Sequence, residues 1–156
     1  MTIIWIVLED AFWSALAAYG FGYLFNVPRR ALWGCAVTGA VGHASRRALL
    51  ELGWGVELST LICAVLMGVV SFYFARYFRA PALVFSVTGA IPLAPGGFAY
   101  RAMIGFIELT YISGPASQLI LTEAVVNLFR TILVLGAIAL GISLPTLLFR
   151  RPDHII

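Results

Sequence analysis

The 156-residue sequence contains no lysine, only two cysteines and few charges of either sign. Charged side chains make up 11% of it, against about 25% in soluble domains. Hydrophobic residues make up 62%, and a soluble chain this small has too little interior to hide so much apolar surface. A secreted disulfide scaffold, a disordered tail and a free cytosolic enzyme are thereby excluded. The ten basic residues are all arginine, set against seven acidic ones. No basic run exceeds two residues and no long polar segment carries one, so nucleic acid is not a partner. Cys35 and Cys63 fall in apolar stretches and read as small buried hydrophobes, not as a disulfide or metal site. No G-x-S-x-G, H-E-x-x-H or Walker motif is present, and His154 has no neighbour suited to catalysis. The composition therefore points to a single membrane domain, not an enzyme, with no cofactor or metal and with the lipid bilayer as its solvent.

What is there is a set of long apolar runs. A helix needs about 20 residues to cross the hydrocarbon. The first run covers about 3–25. Glu9 and Asp10 interrupt its start and no basic residue precedes them, so it reads as a retained span and not a cleaved leader. The others cover about 31–52, 57–78, 81–112 and 116–149. The expected fold is an all-α integral membrane bundle of five transmembrane helices. With five crossings, Arg29, Arg30, Arg76, Arg79, Arg150 and Arg151 all lie on one side, which the positive-inside rule makes the cytoplasm. The N-terminus is then periplasmic and the C-terminus cytoplasmic.

Two segments exceed the roughly 30 Å of hydrocarbon. As straight helices, 81–112 would run about 48 Å and 116–149 about 51 Å. The second can tilt or protrude. The first has a visible cause for interruption at 91–97, in Ile91-Pro92-Leu93-Ala94-Pro95-Gly96-Gly97. Two prolines remove helix donors and two glycines permit unusual backbone angles. Freed backbone groups must face protein or water, not lipid. Discontinuous helices of this kind present half-helix ends to solutes in transporters. A second half-helix beginning near Gly97 would offer its amides and positive dipole end to an anion. Arg101 and Tyr100 stand one turn inside. The competing reading is a kink that only shapes packing.

A second polar feature lies in 31–52. His43, Arg46 and Arg47 share one helical face. A histidine beside an arginine is poised to change protonation when an anion arrives, as a proton-coupled site requires. The competing reading is anchoring at the headgroups, which is favoured for Arg47. Gly34, Thr38 and Gly42, at spacing four, suit close approach of another helix. Glu123, Asn127 and Arg130 form a polar stripe across 116–149, either facing a cavity or closing an internal Glu–Arg pair. Glu9 and Asp10 either reach outer water or, for Asp10 above all, carry protons. Glu108 is expected near the outer surface.

These residues resemble a family. Phe25-Asn26-Val27-Pro28 with Arg30-Ala31-Leu32, Gly39-Ala40-Val41-Gly42-His43-Ala44-Ser45-Arg46, and Ile91-Pro92-Leu93-Ala94-Pro95-Gly96 with Ala99-Tyr100 and Met103 carry the likeness. Asn127 and Gly141-Ile142-Ser143-Leu144-Pro145 complete it. The chain is similar to the small membrane subunit of two-component threonine/serine-exporter-like transporters, the type that includes bacterial succinate exporters. The resemblance implies export of small metabolites across the bacterial inner membrane together with a larger membrane subunit. It implies succinate-like dicarboxylates for the split form and threonine or serine for the fused form. It carries no residue-level mechanism, and Arg101 and Arg130 lie outside the matched residues. On the residues, Arg46, Pro95, Gly96, Gly97, Tyr100 and Arg101 are the substrate-binding candidates, and His43 and Asp10 the proton-coupling candidates. A structural subunit, with the transport site wholly in the partner, is the competing reading.

Overall fold

The computed structural model describes residues 2–112 and 114–149. Arg150, Arg151 and His154 lie outside the described residues. Every regular element among the described residues is helical: α1 (Thr2–Leu24), α2 (Leu32–Glu51), α3 (Val56–Phe78), α4 (Ala82–Ala90), α5 (Gly96–Glu108) and α6 (Pro115–Phe149). Short 3-10 turns cover Arg29–Ala31 and Ile91–Leu93.

The helix ends follow local chemistry. After α1, Asn26 takes the left-handed conformation (φ 57°), and Val27 N–H closes back on the Gly22 carbonyl at 3.0 Å. Gly53 does the same after α2 with φ 85°, where Trp54 N–H donates to Leu49 O at 3.1 Å and Gly53 N–H to Leu50 O at 2.9 Å. These paired bonds satisfy carbonyls that a helix end leaves bare. Pro81 precedes α4 and Pro115 opens α6, positions where a missing N–H costs nothing. Pro92 and Pro95 bracket the step from α4 through the Ile91–Leu93 turn to α5.

Three helices are long and apolar enough to cross a membrane: Ile3–Leu24, Val56–Phe78 and Ser117–Leu148. Ala82–Leu93 together with Gly96–Glu108 makes a fourth if the pair counts as one span. The expectation of five therefore exceeds what length and apolarity support, and α2 is the difference. Its three glycines, Thr38, Ser45, His43, two arginines and Glu51 lower its apolarity.

The chain divides into two compact units: described residues up to Leu93 with those from Ala137 onward, and residues 94–136. In the first unit, α2 packs against α1, α3 and α4. Small residues set these contacts. A Cβ on Gly39 would stand 2.6 Å from Ala18 Cβ and 2.9 Å from Ser14 O, on α1. One on Gly34 would meet the Phe85 ring at 2.7 Å. One on Gly42 would run into Met67 of α3. The Gly34, Thr38, Gly42 face thus receives two helices of the same chain. Phe85, with Cys35 and Ala31, centres one core cluster, and Cys63, Met67 and Leu93 another. The C-terminal part of α6 seats Pro145 and Ile142 O against Gly68, and Gly141 against Ala64 and Leu61.

The interior carries hydroxyls as well as hydrocarbon. Thr38, Thr60, Ser86 and Thr88 are buried and donate to carbonyls one turn back, at 2.8 Å for Thr38 Oγ1 to Gly34 O. Such bonds let a polar side chain sit in an apolar bundle without desolvation cost. Large apolar side chains, Trp5, Trp13, Trp33 and Leu147 among them, are exposed, which is the surface a lipid solvent requires. In the second unit, Gly105 of α5 meets Ala124 of α6, where a Cβ would stand at 2.8 Å.

Gly39→Val should loosen the α1–α2 contact by about 1–3 kcal/mol through overpacking, read as a lowered melting temperature in detergent. Gly136→Ala, where an added Cβ meets nothing within 4 Å, should leave the melting temperature unchanged or slightly raised.

Candidate functional site

In the first unit, α1 and α2 bring charge together where they meet, with the Arg47 and Asp10 side chains 37% and 43% exposed. Asp10 of α1 and Arg47 of α2 approach to 4.0 Å (Oδ2 to Nε). Arg47 also pairs with Glu51 one turn on, Nη2 to Oε1 at 2.7 Å. Arg47, read from the sequence as a headgroup anchor, is partly exposed and pairs with two carboxylates. Glu9 and Asp10 also part company: Glu9 is exposed beside Trp5, Leu8 and Phe12, whereas Asp10 turns toward α2.

Arg46 and His43 form the other half of this cluster, both half-buried. Each interacts electrostatically with Asp10, and they interact with one another. The imidazole also engages the backbone of Pro92, in the turn that follows α4. Among the described residues, His43 Nε2, Arg46 Nε and Arg47 Nε are buried with no hydrogen-bond partner, and no carboxylate lies within ion-pair distance of Arg46. Arg46 also lies within electrostatic range of Cys63 on α3. The cluster is thus built by α1 through Asp10 and by α2 through His43 and Arg46, with the Pro92 backbone beside the imidazole.

A guanidinium with open donors binds a carboxylate with two parallel hydrogen bonds. Its charge is costly among apolar helices, and a bound anion would relieve that cost. Asp10 and His43 both lie in the field of Arg46. The arrangement sets a carboxylate and an imidazole beside a guanidinium that has no ion pair among the described residues. Nearby on α3, Ser59 Oγ and Ser71 Oγ are fully buried without partners among the described residues, although Thr60 beside Ser59 bonds its own helix.

In the second unit, Arg101, Tyr100 and Glu108 of α5 and Glu123 and Asn127 of α6 line one groove of about 390 Å³. Asn127 Nδ2 donates to Glu123 O at 2.9 Å. Arg130, the last member of the stripe, lies over the Phe98 ring at 5.7 Å. Pro95 caps α5, which begins at Gly96, so Gly97 lies inside the helix. A Cβ on Gly96 or Gly97 would meet nothing within 4 Å. The opening turn of α5 is unobstructed. Among the described residues no group of histidine, cysteine and carboxylate side chains is placed to hold a metal ion.

Sequence spacing identified His43 and Arg46 as one face, but not Cys63 or the Pro92 backbone as their surroundings. Neither has a signature in the sequence, because both enter through helix packing. Glu108 in the groove beside Arg101 was equally hidden, although its spacing of seven from Arg101 places the two on one side of α5.

No solved structure matches the chain. Residues 10–148 match the family model described as "Threonine/Serine exporter, ThrE", a span that runs from Asp10 through every site residue described above. Apolar helices long enough to cross a bilayer agree with a membrane exporter, and the chain belongs to the threonine/serine exporter (ThrE) family.

Proposed function

We propose that this protein is the small subunit of a secondary exporter that moves small carboxylates, succinate-like dicarboxylates among them, out of the bacterial cytoplasm. The observation that carries the reading is the cluster of Asp10 on α1 with His43 and Arg46 on α2, within one unit. Arg46 takes the substrate carboxylate. Asp10 and His43 carry the coupling proton, since a proton taken by either changes the field at Arg46 and hence its hold on the anion. Arg47, already neutralised by Glu51 and Asp10, positions Asp10 and does not bind substrate.

In this reading α2 is a fifth crossing. Its polarity is tolerable because α1, α3 and α4 cover it, so its arginines meet protein and not lipid. The membrane is the inner membrane, with the N-terminus periplasmic. The broken fourth segment supplies the Pro92 backbone beside His43. Pro95, Gly96 and Gly97, which open α5 in the second unit, are separate substrate-binding candidates. A larger membrane subunit of the same family completes the path, since five helices make a thin wall around a solute.

A second reading has its own support. The α5–α6 groove presents Arg101 together with Glu108 and Glu123. Opposite charges across one groove suit a zwitterion, whose carboxylate and ammonium each find a partner. This favours threonine or serine as substrate, and the family description agrees with it.

Arg46→Gln, at unchanged membrane levels, should lower export roughly ten- to a hundredfold, the worth of lost charge-assisted hydrogen bonds. Efflux of succinate and threonine, measured together from cells with and without the larger subunit, checks this and separates the two substrates. Undiminished export of both by Arg46→Gln would remove the assignment. Asp10→Asn should abolish the response of net export to an imposed proton gradient while leaving substrate exchange across vesicles intact. A gradient response equal to that of the parent protein would take Asp10 out of the coupling role.

A further inference from the structure

The first unit has a second charged feature, at the end opposite the Asp10 cluster. Segments 19–36 and 72–90 build that end, and they contain Arg29, Arg30, Arg76 and Arg79 but no aspartate or glutamate. Arg30 and Arg79 come together there. With Tyr77 and Phe78 they line a pocket of about 400 Å³ between the Arg29–Ala31 turn and the C-terminus of α3. Among the described residues no carboxylate lies within ion-pair distance of either guanidinium.

Three observations point to what fills it. The two arginines are held by turns and not by flexible linkers. Arg79 sits in the left-handed conformation (φ 53°), a backbone state unfavourable for a non-glycine residue. There Ala80 N–H donates to Ala75 O at 3.1 Å. Arg76, by contrast, is drawn aside over the Phe72 ring at 4.8 Å, so the pocket takes two of the four arginines and not all of them. The pocket also lies among exposed aromatic side chains, with Tyr77 in its wall and Tyr23, Trp33 and Tyr73 exposed nearby in the sequence. Tyrosine and tryptophan gather at the level of lipid headgroups. A paired-guanidinium pocket at headgroup level matches a phosphate in charge and in its need for forked donors, and basic pockets between membrane helices hold anionic headgroups elsewhere.

We propose that Arg30 and Arg79 form a binding site for the phosphodiester headgroup of an anionic phospholipid. Its acyl chains lie along the exposed apolar faces of the adjoining helices. The site is separate from the transport cluster and does not depend on which solute is exported.

The test is lipid retention by the purified full chain, measured by native mass spectrometry after doping with phosphatidylglycerol or phosphatidylcholine. The parent protein should retain phosphatidylglycerol in preference to phosphatidylcholine. Arg30→Gln and Arg79→Gln should each weaken that retention about fivefold, and the double variant about thirtyfold. Phosphatidylcholine retention should not change, and unaltered elution and helical circular dichroism would show that the variants fold. Arg29→Gln/Arg76→Gln, on the same side but outside the pocket, should stay within about twofold of the parent. An equal loss in that control would mean diffuse surface charge and overturn the proposal. Displacement of phosphatidylglycerol by millimolar inorganic phosphate would overturn the lipid as the source and assign the pocket to a soluble phosphate. If the double variant fails to fold, the single variants decide. Parent-like retention by both would refute the site.

Discussion

A charge inside lipid must be enclosed by protein, and this constraint organises the first unit. Helix α2 carries His43, Arg46 and Arg47 within a stretch otherwise rich in small residues. It would be a poor membrane span alone. Glycines on two of its faces let α1, α3 and α4 approach closely enough to cover those charges, and the shielding in turn allows Arg46 to remain without a carboxylate pair. Close packing and functional charge are one design here: a valine at Gly39 would open α2 to the lipid that its arginines cannot face.

The same constraint divides the arginines by role. Arg47 carries both ion pairs of the cluster, to Glu51 and Asp10. Arg46 has none among the described residues and stands in the field of Asp10 and His43. Arg30 and Arg79 stand at the other end of the first unit, where among the described residues no carboxylate lies within ion-pair distance of them. Because the chain uses arginine throughout, each of these positions keeps its charge whatever its depth.

Much of the helical layout was legible in the sequence, because its punctuation is strong. Pro28, Gly53, Pro81 and the Gly114-Pro115 pair sit beside the helix ends, and Pro92 and Pro95 flank the interruption between α4 and α5. The shared face of His43 and Arg46 was legible too, from spacing alone. What the sequence could not give was the neighbour across the helix. Asp10 and Glu9 are adjacent and chemically alike, yet one turns inward to Arg47 and the other outward. Which does so depends on how α1 is rotated against α2, and Gly39 with Ser14 and Ala18 sets that rotation. Arg47 looked like a headgroup anchor because its distance from the helix end was known, while the carboxylate from another helix was not.

One contact has mechanical meaning. Where α2 crosses α4, a Cβ on Gly89 would stand 3.1 Å from the Gly39 amide nitrogen, 3.1 Å from Thr38 Cγ2 and 2.9 Å from Met67 Cε. Two backbones and a side chain of α3 share that point. Interlocked side chains resist relative motion because they must disengage before either helix can turn. Turning α4 here would have to displace the Met67 thioether and the Thr38 methyl, so the crossing acts as a clasp. It is set two residues before the Ile91–Leu93 turn, and it fixes where that turn is presented to His43.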